Sequence, residues 1–203
     1  MEISSKTELK LVGLLMDQNK VEEVGLLNGK MGLAIYFFQL ARTYQQEEYK
    51  QYASQLLDEV ADSLNMQMPI DFATGLTGIG WGIEYLIQNQ FIEGDADDIL
   101  EEMDYVVLTY FISNPQTIET ILSIGHYYIA RLIYRTKEEE SETVLNLKYN
   151  VILLIDELER QMKNIEQTLR VEHLLDELYK LNIFNFKVLK LKRKLQESNT
   201  SKL

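Results

Sequence analysis

Four of the chain's ten glycines crowd into "GLTGIGWG", residues 75–82, at the start of a stretch that otherwise reads as helix. Glycine costs a helix interior about 1 kcal/mol relative to alanine, so helix propensity does not select them. A period does. "GLLNGKMGLAIYFFQLA" (25–41) aligns with "DFATGLTGIGWGIEYLI" (71–87), setting Gly29 on Gly75, Gly32 on Gly78 and Ala34 on Gly80, each 46 residues apart. The only two prolines, Pro69 and Pro115, lie the same 46 residues apart, and each precedes such a segment. A weaker third copy, "ILSIGHYYIARLIY" (121–134), places Gly125 47 residues after Gly78. Eight of the ten glycines fall in these copies, so the spacing constrains the architecture more than any single motif does.

Amphipathic helices lie between the copies. In "YKQYASQLLDEVADSL" (49–64), Tyr52, Leu56, Val60 and Leu64 recur at helical spacing. "DADDILEEMDYVVLTYFI" (95–112) opens with Asp95 as an N-cap and Asp97 and Asp98 at the positive helix start. "ETVLNLKYNVILLIDELERQMK" (142–163) follows the charged linker "TKEEESE" (136–142). No alternating β-branched run bounded by turn residues occurs. The repeat is therefore an α-hairpin with one inner helix, apolar all round and entered through glycines, and one amphipathic outer helix. The expected organisation is a single all-α domain over 1–203, with units at about 20–65, 66–113 and 114–164. A fourth copy would place a glycine near Glu172; the register fails there, and capping helices are expected over 165–197.

A formal charge of −12 disfavours nucleic acid as a partner. The basic run "KVLKLKRK" (187–194) reads as the solvated face of a last helix. The Asp95, Asp97, Asp98 cluster lacks the glycine and glutamate of a calcium loop, where Leu100 and Val106 stand. "GIGWG" lacks the preceding strand and the spacing of a dinucleotide loop. Without cysteine the chain has no disulfide, thiol nucleophile or thiolate metal ligand, and no metal or cofactor is expected. Residues 1–20 lack the apolar core of a signal peptide, and no run reaches the ~18 apolar residues of a membrane span. A cytoplasmic protein with no membrane partner is expected.

With the hairpins in place, "GLLNGKMGLAIYF" and "GLTGIGWGIEYL" resemble the inner-helix entrances of the lanthionine synthetase C-like (LanC-like) family. The resemblance covers about residues 20–135 and continues beyond only as helical rhythm. It implies an α/α toroid of the LanC-like or six-hairpin type, of which this chain corresponds to the N-terminal half. Active cyclases of the family hold zinc through two cysteines and a histidine, and that zinc activates a peptide thiolate for addition to a dehydroamino acid. Those ligands belong to later repeats, and this cysteine-free sequence does not carry them. Half a toroid leaves two apolar edges, to be covered by the last helices, by a second subunit in a homo-dimer, or by another chain that completes the ring.

The reading that follows is a non-catalytic peptide-binding or accessory protein of peptide modification, whose partner is a peptide or a peptide-modifying protein. Its groove residues are Asn28, Lys30, Thr74, Thr77, Trp81, Tyr85 and Tyr127, with Trp81 and Tyr85 spaced i,i+4 as a stacking floor. Gly29, Gly32, Gly75, Gly78, Gly80, Gly82 and Gly125 are structural, bringing inner helices close and leaving entrance N–H groups open to the centre. The alternative is a glycosidase-like enzyme with Asp71, Glu84 or Asp104 as acid and base; a helical-repeat interaction module is the third option. His126, read as standing at an inner-helix entrance, is the candidate general base. His173, with Asp176 and Glu177 on one helix face, reads as a salt-bridged surface or a metal trio.

Overall fold

The computed structural model describes residues 21–135, 141–162 and 168–200. The N-terminal twenty residues, positions 136–140 of the charged linker, and the junction 163–167 between the third unit and the capping helices lie outside the described residues. Eight helices are present among the described residues and no strand: α1 (Lys30–Tyr44), α2 (Glu47–Ser63), α3 (Leu76–Gln88), α4 (Ala96–Ser113), α5 (Ile118–Ile133), α6 (Glu142–Gln161), α7 (Thr168–Lys180) and α8 (Asn185–Thr200). Three of them start on side-chain caps: Asp95 accepts from the Asp97 N–H, Thr117 from Thr120 and Ser141 from Val144.

α1 and α3 start differently, and here the repeated glycines find their use. Neither N-cap glycine supplies a side-chain bond. Instead the loop before each helix folds back on its first turn. The Lys30 N–H donates to the Glu23 carbonyl at 2.9 Å, and 46 residues later Leu76 donates to Pro69 at 2.9 Å. The Met31 N–H reaches the Val24 carbonyl. The Lys30, Met31 and Leu76 N–H groups are thus satisfied by the chain itself rather than open to the centre. The fold-back leaves no room for a Cβ: one on Gly32 would stand 2.1 Å from the Leu26 oxygen, and one on Gly78 2.0 Å from the Phe72 oxygen. The two loops also meet each other, with Leu27 N–H donating to the Ala73 carbonyl at 2.8 Å. A Cβ on Gly25 would lie 2.4 Å from the Thr74 Cα.

The inner helices α1, α3, α5 and α7 form a row in which each packs on the next, while α2, α4, α6 and α8 each pack on their own inner partner. Side chains at equivalent repeat positions therefore meet. Gln39 donates to the Tyr85 hydroxyl at 2.8 Å across 46 residues, and Arg42 donates to the Asn89 carbonyl across 47. Equivalent contacts at matching heights require neighbouring inner helices to run parallel. α5, flanked on both sides, is the most buried: Ile121, Leu122, Ile124, Tyr127 and Tyr128 are all sealed from solvent.

Two expectations about the third copy change. α5 begins at Ile118, so Gly125 and His126 lie two turns inside the helix and not at its entrance. The Thr117 cap, followed by Glu119 in the first turn, starts this helix without glycines. Gly125 instead accepts α7: a Cβ there would lie 2.7 Å from a Leu174 methyl. α7 and α8 in turn continue the inner and outer rows, α7 covering α5 and α8 packing on α7 and α6. The basic run of α8 is engaged rather than free: Lys187 pairs with Asp156 and Glu159, Lys190 and Lys194 with Glu159, and Lys192 with Asp176.

Candidate functional site

A cavity of about 400 Å³ opens on the inner-helix row, with walls from α3, α5, α7 and the loop before α3 and none from an outer helix. Asp71 shapes that loop. Its carboxylate accepts from the Ala73 N–H (2.9 Å), the Thr74 N–H (2.8 Å) and the Thr74 hydroxyl (2.9 Å), forming an Asx-type turn. The turn sets Phe72 against the cavity, edge-on to Trp81 with ring centroids 6.0 Å apart and 5.3 Å from the His126 ring. Trp81 and Tyr85, one turn apart on α3, stack at 5.3 Å with planes 13° apart. The opposite wall is aliphatic, from Ile129, Ala130 and Ile133. α7 contributes the polar rim, Arg170, His173 and Glu177.

The two histidines of the chain, 47 residues apart, face each other here with ring centroids 6.3 Å apart. Burial pushes the His126 pKa down, and the nearby charges of His173 and Arg170 push the same way, with Glu177 opposing. His126 is therefore held neutral at physiological pH, with one ring nitrogen donating and one accepting. Glu177 is already engaged by Lys180 at 2.6 Å, and Asp176 by Lys192.

The other sequence candidates lie elsewhere. Glu84 is 1% exposed and pairs with the Arg131 guanidinium at 2.7 Å while accepting from Gln88. Asp104 pairs with the same Arg131 at 2.8 Å and accepts from the Tyr127 hydroxyl. Burial would release the Arg131 proton, but the hydrogen bonds and charge of Asp104 outweigh it and raise its pKa. Tyr127 is sealed from solvent, and burial followed by the Asp104 charge pushes its hydroxyl pKa well up. Asp71, Glu84 and Asp104 do not line the cavity: Glu84 and Asp104 meet on Arg131 inside the fold, and Asp71 belongs to the entrance turn. Of the seven groove residues only Trp81 and Tyr85 line it. Asn28 is exposed in the first entrance loop with positive φ. Lys30 pairs with Glu59 at 2.9 Å. Thr74 belongs to the Asp71 turn, and Thr77 is buried in the first turn of α3.

Sequence reading missed Arg131, the centre of the buried charge network, and Phe72 and Arg170 on the cavity wall. Arg131 carried a usable signal: it stands 47 residues after Glu84, so the repeat itself places the two side by side. The zinc set implied by the resemblance does not fit the residues present. The chain has no cysteine, and no group of three or more His, Asp or Glu among the described residues is arranged to hold a metal. No helix among the described residues is long and apolar enough to cross a membrane. A family model described as lanthionine synthetase C-like protein matches residues 20–173. No curated protein matches the chain at a significant level.

Proposed function

The chain belongs to the lanthionine synthetase C-like protein family, and from that membership we propose that it is a non-catalytic, peptide-binding accessory of peptide modification, acting in the cytoplasm. The observation that carries the reading is the aromatic cavity between α3, α5 and α7, walled by Phe72, Trp81 and Tyr85 and rimmed by His126 and His173. Cavities of this size and mixed lining suit a few residues of a peptide, whose rings and aliphatic groups gain from leaving water. The carboxylates that a glycosidase would need are held in a buried ion-pair network and an entrance turn, which favours binding over acid–base chemistry.

Trp81 is the only tryptophan of the chain, so its emission reports on this cavity alone. Titration with short peptides containing aromatic residues is expected to give a saturable change in Trp81 emission. Ile133 lies on the cavity wall and is 40% exposed, so Ile133→Asp should weaken binding while leaving the melting temperature within a few degrees. Emission that stays flat up to millimolar peptide would remove this reading. Light scattering of the same samples tests pairing with a second copy or completion by another chain.

A further inference from the structure

The cavity is asymmetric in a way that selects a ligand. Its α3 wall carries rings and no charge, whereas its α7 rim carries Arg170 and His173 beside the ring nitrogens of His126. The one acid of the lining, Glu177, is engaged by Lys180 at 2.6 Å. The rim is thus rich in hydrogen-bond donors, a guanidinium and two imidazoles. Rings stand towards both ends of the cavity. Because the inner helices run parallel, Phe72 stands at the entrance end and Tyr134, just past the end of α5, at the other. A volume of about 400 Å³ suits a few residues of a peptide and no more.

We propose that the cavity receives the end of a peptide: an aromatic C-terminal residue whose ring lies against Trp81 and whose free carboxylate faces Arg170, His173 and His126. This rests on the peptide-binding reading above and assigns its ligand. The aromatic wall supplies apolar burial and offset stacking. The carboxylate meets the guanidinium and imidazole donors in charge-assisted contacts, stronger than those of a neutral amide. The charged and titratable groups facing His126 are Arg170, His173 and Glu177 from α7 and Tyr85 from α3, whose hydroxyl accepts from Gln39. Of these, Glu177 alone opposes the anion.

The test uses Trp81 emission with the full chain and four probes: a short peptide ending in Phe with a free carboxylate, the same peptide amidated, the same composition with Phe placed internally, and 3-phenylpropionate. The free acid is expected to bind roughly tenfold tighter than the amide, the scale of one charge-assisted contact. That ratio should fall towards one in His173→Gln, at an exposed position, without a change in melting temperature. Equal affinity for acid and amide, or for terminal and internal Phe, overturns the assignment while leaving peptide binding standing. Phenylpropionate binding as tightly as the peptide also overturns it, in favour of a small aryl acid. If no peptide moves the emission, the underlying reading fails and this inference with it.

Discussion

Arg131 and Glu84 occupy the same register on neighbouring inner helices, 47 residues apart, and meet at 2.7 Å with 0% and 1% of their side chains exposed. Two further carboxylates, Asp97 at 2.9 Å and Asp104 at 2.8 Å, share the guanidinium. Three acids from α3 and α4 thus converge on one cation from α5 and tie the second hairpin to the third. Removing the cation strands buried negative charge, which costs far more than an exposed pair would. Arg131→Met is expected to lower stability by about 3–5 kcal/mol in urea denaturation. Combining it with Glu84→Gln should recover part of that loss, because the stranded charge is smaller. A cost below about 1 kcal/mol would mean that the network contributes little beyond surface pairing.

The glycines divide by what a methyl would strike. On Gly25 it would lie 2.4 Å from the Thr74 Cα and 2.5 Å from the Ala73 oxygen, both backbone atoms of the adjoining entrance loop. On Gly82 it would lie 2.6 Å from the Met31 side chain, which has rotatable bonds to yield with. Gly25→Ala is therefore expected to cost about 1–3 kcal/mol through overpacking, and Gly82→Ala clearly less. Paired thermal melts check the order. The reverse ranking would show that the loop-to-loop contact is not what the glycine protects.

The repeat made the hairpins and the inner-outer division legible, because a glycine period and a helical period coincide in α1 and α3. It misplaced the third entrance for a physical reason. Thr117 with Glu119 caps α5 by side chain and early charge, so the glycine at the repeat position is released from entrance duty and accepts Leu174 instead. The site was partly legible. Trp81 and Tyr85 at i,i+4 had to share a face, but Tyr127 sits on the turned-in side of α5, where its hydroxyl reaches Asp104. The meeting of His126 with His173 has the same 47-residue spacing as Glu84 with Arg131, but reading it requires α7 to continue the inner row after the glycine register ends.

That continuation turns on Leu174, fully buried against Gly125. Leu174→Ala should cost about 2–5 kcal/mol, as for other buried leucines. Gly125→Ala alone should also destabilise, since its methyl would meet a Leu174 methyl at 2.7 Å. The double variant should be less damaged than the sum of the two, because the added methyl then enters the vacated space. A double-mutant cycle by denaturant melts reads this coupling, and strict additivity would show that α7 is held by other contacts.

Glu159 on α6 is met by Lys187, Lys190 and Lys194, each at 3.0 Å, which bind α8 to α6. Hydrogen bonds from Lys194, Lys190 and Lys187, in that order, pull its pKa from 4.5 down to about 2. A carboxyl depressed by folding stabilises the protein above its unfolded pKa and loses that contribution as pH falls towards the folded value. Wild type should therefore lose an increment of stability between about pH 4.5 and pH 2 that Glu159→Gln lacks, so their melting temperatures should converge in acid. Glu159 and its lysines keep contact with solvent, the carboxylate being 23% exposed, so the difference at neutral pH should be small and should shrink further in about 0.5 M salt, where exposed pairs are screened. Melting curves that stay parallel across this range would mean that the lysine cluster does not act through Glu159.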